Sequence, residues 1–168
     1  MASLTHPWPP FYDQHSRVLI LGTFPSPRSR EMGFYYGHPQ NIFWKTVAAV
    51  LGIAEPLRDV QSRRVFLRET RIALWDVLQS CDIEGAADAS IRHPVPNRFA
   101  SLINDSDICA IFTTGKAATE LFNTLCAEEA GLEATYLPST SPANRAAQAK
   151  PEFMQQWLQL ATALAADR

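Results

Sequence analysis

One segment of the chain carries more potential chemistry than any other: Gly33-Phe34-Tyr35-Tyr36-Gly37-His38-Pro39-Gln40-Asn41-Ile42-Phe43-Trp44-Lys45. Rings, two glycines, a His-Pro pair and an amide crowd one irregular connection, more than core packing calls for. Aromatic rings stack on a flat heterocycle and an amide reads its edge, so the segment suits a planar, hydrogen-bonding ligand. Asn41 has two available jobs. Just ahead of an apolar helical run it caps the helix; as a pocket amide it positions water or pairs with a ring edge. His38 either lines the pocket with Tyr35 and Tyr36 or shapes the turn before Pro39, and no partner ligands make it part of a metal site. Phe43 and Trp44, inside the helix, read as core.

Two further segments belong with it. Gly22-Thr23-Phe24-Pro25-Ser26-Pro27 follows a buried strand. Gly22 would let the backbone approach a ligand, and Phe24 would stack on a planar base; the plain alternative is a turn that Phe24 closes over the core. Pro138-Ser139-Thr140-Ser141-Pro142-Ala143-Asn144-Arg145 is a loop stiffened by two prolines. Its hydroxyls, amide and arginine suit phosphate oxygens, and a stiff small-residue tip can push into a duplex; alternatively it is a solvent loop. Weaker candidates are Trp75-Asp76, at a strand end on the pocket side or simply a buried indole and a turn carboxylate. Gly115-Lys116 lacks the rest of a P-loop, and there is no Gly-x-Ser-x-Gly elbow.

The elements that must hold these loops follow from apolar patterning. Strands are expected at 17–22, 72–77, 108–114 and 135–137, the first and third apolar with little alternation, as for strands covered on both faces. Helices are expected at 42–51, 60–69, 97–103, 116–130 and 151–166, with Pro151 opening the last and Gly131 stopping the fourth. The stretch 80–98 is polar and Pro-bearing and reads as a surface excursion. Strands alternating with helices imply an α/β fold with a mostly parallel sheet, whose ligands bind beyond the carboxyl ends of the strands. The Thr23–Asn41 and Pro138–Arg145 loops both leave those ends, which is the main pattern-based argument for a site there.

With 168 residues and 46% hydrophobic content, the chain suits one domain, 1–168, with a proper core. A net charge of −2 gives no global basic field for nucleic acid. Arginine dominates the cations: Arg28 and Arg30 near the first turn, and Arg63, Arg64, Arg68 and Arg71 on or beside one helix, a weak hint of phosphate. Cys81, Cys109 and Cys126 form neither a disulfide framework nor a cluster-binding pattern. No targeting signal or membrane-length run is visible, so the expectation is a cytoplasmic protein with no membrane partner.

Taken together, the Gly22-ended strand, the Tyr36-Gly37-His38-Pro39-Gln40-Asn41-Ile42-Phe43-Trp44 stretch and the Pro138–Asn144 loop resemble the uracil-DNA glycosylase superfamily. The likeness is strongest to its hypoxanthine-DNA glycosylase branch, also called family 6. It runs from about Arg17 to Arg145 in motif order. The resemblance implies a three-layer α/β/α sandwich around a short, mostly parallel central sheet. It implies a monofunctional hydrolase that removes a deaminated base, hypoxanthine first, from double-stranded DNA as a monomer and without metal or cofactor. The first motif of many relatives holds an Asp or Asn that handles the attacking water, whereas Thr23, Phe24 and Pro25 cannot; the matching catalytic amide is Asn41. Gly22, Thr23, Phe24, Tyr36 and His38 are then expected to bind the base. Pro138, Ser139, Thr140, Ser141, Pro142, Asn144 and Arg145 form the expected DNA-binding loop.

An amide cannot titrate, so Asn41 would work by positioning, while backbone amides at Thr23–Phe24 and the His38 ring would stabilise charge on the leaving base. Within this class the sequence leaves open a uracil or broad deaminated-base glycosylase. From another class it leaves open a non-catalytic lesion-DNA or nucleotide-binding module, because the first motif lacks its acid.

Overall fold

The structure, a computed structural model, describes residues 2–54 and 57–166. Its centre is a parallel sheet of β2 (Val18–Gly22), β3 (Ile72–Asp76), β6 (Ala110–Thr114) and β7 (Ala134–Leu137), in the order β3-β2-β6-β7. Alternate side chains of a strand point to opposite faces, and both faces of β2 are buried. Val18 and Ile20 pack with Phe43, Val47, Phe66 and Trp157 from α2 (Phe43–Val50), α3 (Val60–Thr70) and α8 (Pro151–Ala165). Leu19 and Leu21 pack the other way, with Leu102, Ala118 and Phe122 from α4 (Ala100–Asn104) and α5 (Lys116–Leu125). Helices on both sides of a short parallel sheet make the three-layer α/β/α sandwich expected from the sequence.

The stretch 80–98 departs from expectation. It forms most of β4 (Leu78–Ile83) and all of β5 (Arg92–Pro96), which join β1 (Ala2–Thr5) in an antiparallel sheet of order β1-β4-β5. Pro94 and Pro96 argued against a strand, but β5 is an edge paired irregularly with β4, where proline is tolerated. Three helices also differ. The expected helix 116–130 breaks at Cys126 (φ −124°) and resumes as α6 (Ala127–Ala130). The helix expected from 97 begins at Ala100, where the Glu129 carboxylate accepts the N–H groups of Phe99 and Ala100 at 2.8 and 2.9 Å. The supposedly irregular Thr23–Asn41 connection contains α1 (Pro27–Met32), capped by Ser26, opened by Pro27 and closed by Gly33 at φ 76°. A further short helix, α7 (Arg145–Gln148), follows the Pro142–Asn144 turn.

No helix among the described residues is long and apolar enough to cross a membrane.

Candidate active site

Parallel register brings the site together. Gly22 at the end of β2 lies opposite Asp76 at the end of β3, while Thr114 ends β6. Above these strand ends opens a cavity of about 510 Å³, within the range of small-molecule sites. Gly22, Thr23, Phe24, Tyr36, His38 and Asn41 all line it, as do Ser139, Thr140, Ser141 and Pro142. Pro138, Asn144 and Arg145 lie outside the lining. Pro138 is buried and its carbonyl accepts the Trp157 indole N–H at 3.0 Å, whereas Arg145 is exposed at the start of α7.

Asn41 sits immediately before α2, and its Oδ1 accepts the N–H of Phe43 at 2.9 Å. This short side-chain turn satisfies one of the helix's orphan donors. It also turns the amide by a fixed amount, leaving the second carbonyl lone pair and both Nδ2 protons for a ligand. One residue on, the N–H of Ile42 donates to the carbonyl of Thr140 at 3.1 Å, joining this segment to the second loop.

His38 is oriented in the same local way. Its Nδ1 accepts the N–H of Gln40 at 3.1 Å, so a neutral ring carries its proton on Nε2, a donor on the cavity wall. Tyr36 has φ 53°, a left-handed backbone that bulky residues avoid. Its ring stacks on Phe43 at 3.8 Å and 7°, and its hydroxyl lies 3.4 Å from Thr114 Oγ1. Burial, and then the charge of Asp76, push the phenols of Tyr35 and Tyr36 far above their ordinary range.

The first-motif loop is held by its own side chains. Arg30 donates to the carbonyl of Pro25 at 2.7 Å, and Thr23 Oγ1 donates to Asp88 Oδ2 at 3.4 Å across the cavity mouth. The protein around Asp88, and more weakly Asp76, push its carboxyl above the usual carboxylate range, while the Thr23 hydroxyl pulls it back. The second loop is tied just as firmly. Ser139 O accepts from Asn144 Nδ2 at 2.9 Å and Gln148 Nε2 at 3.1 Å, and Ser141 O accepts from Gln148 at 2.8 Å. Asn144 thus fastens the loop from within.

Two more residues belong to the site. Asp76, a weaker candidate from its strand-end position in the sequence, is 4% exposed on the cavity floor. His6 touches it, Nε2 to Oδ2 at 2.8 Å. Nothing local marks His6: it arrives through β1, and its backbone N–H donates to Gln79 O at 2.6 Å. The helical arginines do other work. Arg63 lies over Trp44, Arg64 over Phe34 and Arg68 over Phe11, cation–π contacts outside the cavity. Burial pushes the Cys126 thiol up to about 11 and raises that of Cys81, so neither is an activated nucleophile. Among the described residues no group of three or more His, Cys, Asp or Glu is placed to hold a metal ion.

The family model described as the uracil DNA glycosylase superfamily matches residues 9–162. The chain is 34% identical over 142 residues to a Methanosarcina barkeri protein named hypoxanthine DNA glycosylase, covering 82% of this chain and 87% of that one. A Methanosarcina acetivorans protein of the same name is 35% identical over 141 residues, with the same two coverages. The fold is also similar to an NMR structure from Methanosarcina acetivorans, solved under the provisional name of uracil DNA glycosylase. There the TM-score is 0.76 at 30% identity, over 94% of this chain and 98% of that one.

Proposed function

The chain belongs to the uracil DNA glycosylase superfamily and is a DNA glycosylase; from that premise we propose that it hydrolyses the N-glycosidic bond of deoxyinosine in duplex DNA, releasing hypoxanthine. The observation that carries this reading is an amide, Asn41, pinned at a helix start on the wall of a cavity whose first-motif positions carry no acid. The name shared by the two Methanosarcina relatives supports hypoxanthine as the base.

Breaking the bond leaves positive charge on the deoxyribose and negative charge on the departing base. Asn41 holds the attacking water by its free lone pair and amide protons, a matter of orientation rather than proton abstraction. The Nε2 proton of His38 and the backbone amides of Thr23 and Phe24 face the charge that develops on the base. Phe24 offers a ring to the extruded heterocycle, while the Ser139–Pro142 loop, braced by Asn144 and Gln148, holds the opened strand. Extrusion costs a few kcal/mol and least for a poorly paired base, so a deaminated base is favoured before it is read. The protein acts as a monomer and needs only water as co-substrate.

The test is incubation with duplexes carrying inosine, uracil or xanthine, followed by alkali to cut abasic sites. Cleavage fastest at inosine is expected. Cleavage fastest at uracil or xanthine would reassign the base, and tight binding without cleavage of any duplex would make the chain a lesion-binding module instead.

A further inference from the structure

Hydrolysis has to put a proton somewhere. As a water oxygen joins C1′ it must shed a proton, and Asn41, an amide, has no means of taking it. A carboxylate beside the attacking water does that work. The base enters the cavity first, so the sugar that carries it, and the water that attacks C1′, stop at the mouth.

Among the described residues three carboxylates line the cavity: Asp76, Glu84 and Asp88. Asp76 lies on the floor, under the base, with Oδ2 2.8 Å from His6 Nε2. Glu84 is exposed, and its backbone N–H rather than its carboxylate is held, by Ser90 Oγ at 2.9 Å. Asp88 stands at the mouth, open to solvent on one side, where Thr23 Oγ1 donates to its Oδ2 at 3.4 Å.

The connection from β4 to β5 is built to hold Asp88 there. Asp88 opens a single 3₁₀ turn, Asp88–Ser90. Ser90 Oγ donates to the carbonyl of Ala87 at 2.6 Å as well as accepting from Glu84, and the N–H of Ala87 donates to the carbonyl of Glu84 at 3.0 Å. Thr23, on the other side of the contact, is 6% exposed and directly follows β2, so Asp88 is referenced to the central sheet. The Thr23 contact is long, and no protein group among the described residues donates to Asp88 Oδ1. That oxygen is available to water.

This carboxylate works against the protein twice. The protein around it raises its carboxyl; the Thr23 hydroxyl lowers it, and Asp76 raises it again. Its negative charge also meets the phosphates of incoming DNA. A charge that opposes both folding and binding, at the cavity where the reaction occurs, is placed as catalytic groups are.

We infer that Asp88 is a catalytic residue, the general base that takes the proton of the water Asn41 positions, with Thr23 as its positioning residue. The water oxygen bonds to C1′ while the C1′–N9 bond breaks and its electron pair leaves on hypoxanthine. The water proton passes to Asp88 Oδ1, and Asp88 then yields it to solvent through the open mouth. Division of labour follows: Asn41 aims the water and Asp88 deprotonates it. The role rests on the glycosylase reading of the cavity.

The base must be ionised, so release should rise with pH through the raised carboxyl of Asp88 and level off above it. Other titratable groups surround it. Asp76 of β3, Glu84 of the same turn, and Tyr35, Tyr36 and His38 of the segment before α2 line the cavity. Cys81 of β4 feels the Asp88 charge, and Arg30 of α1 is turned to the carbonyl of Pro25. His38 could give a limb of its own, but that limb would persist when Asp88 is replaced.

The test is single-turnover release of hypoxanthine from an inosine duplex, measured across pH for wild-type protein and Asp88→Asn, beside Kd and Tm. Asparagine keeps the shape and still accepts from Thr23, but takes no proton. Release should fall about 100- to 10,000-fold, the span of general-base catalysis, while Kd and Tm are no worse than wild type. The acid limb of the wild-type profile should be absent from the variant.

Release by Asp88→Asn within threefold of wild type overturns the role, and so does a slowed variant that keeps the wild-type acid limb. If Asp88→Asn does not fold, wild-type protein decides: release that is independent of pH overturns the role, and a rise through a pH above the ordinary carboxylate range supports it. Failure of wild-type protein to release any base is a different result, which overturns the glycosylase reading itself.

Discussion

The N–H of Ile42 donates to the carbonyl of Thr140 at 3.1 Å, so the segment bearing Asn41 and the loop that follows β7 are one unit. Thr140 is 1% exposed, and a hydrogen bond in so dry a place resists competition from water. The proposed catalytic amide and the proposed strand-gripping loop therefore keep their separation as DNA enters. A glycosylase needs this, because water, sugar and base must align within a fraction of an ångström.

The fastening of that loop should matter for DNA more than for folding. Gln148 donates to the carbonyls of Ser139 and Ser141 at 3.1 and 2.8 Å and lies outside the cavity. Gln148→Ala should leave Tm within a few degrees of wild type while raising Kd for an inosine duplex by about 3- to 10-fold. Fluorescence anisotropy beside a thermal melt checks both halves.

Gly22→Ala places a methyl group 2.7 Å from Asp76 Oδ1, an atom whose carboxylate is held by His6. Neither side can yield cheaply. The variant should lose about 1–3 kcal/mol by overpacking, measured by urea unfolding, and should release hypoxanthine more slowly than its residual stability explains.

Tyr35 and Tyr36 should set an alkaline limit. Burial, then Asp76, raise both phenols in the folded state, so folding favours their protonated forms. Their contribution is complete below the ordinary tyrosine value near ~10 and is lost as pH rises above it. Ultraviolet titration should show two of the four tyrosines staying un-ionised until the protein unfolds, and Tyr36→Phe should blunt the loss of Tm at high pH.

Asp88 gives the acid-side counterpart. Its folded carboxyl is raised, chiefly by the protein around it, so its ionised form is a liability above the unfolded carboxylate value. Asp88→Asn should raise Tm at pH 7, with the gain shrinking as pH falls toward ~4. Removing a negative charge from the cavity mouth should also tighten DNA binding, most clearly at low salt.

The layered fold was legible because Val18-Leu19-Ile20-Leu21 is apolar at every position, which only a strand buried on both faces requires. The cavity lining was legible where chemistry is crowded, around Tyr36, His38 and Asn41. What hid was tertiary. β1 and β5 owe their strand form to pairing with β4, and nothing in the local pattern around His6 shows that it will meet Asp76 seventy positions on. α1 was readable after all, from Ser26-Pro27 at its start and Gly33 at its end, but the aromatic residues that follow drew the reading toward an irregular loop.

Asn41 is both a turn-forming residue at the start of α2 and the proposed catalytic amide, and one substitution separates the two. Serine caps helices about as well as asparagine but lacks the amide that would hold water. Asn41→Ser should keep Tm within a few degrees of wild type, while single-turnover release of hypoxanthine from an inosine duplex falls by at least about 100-fold, the loss expected for a positioning group set out of place. A folded Asn41→Ser protein that releases hypoxanthine at the wild-type rate would contradict the account.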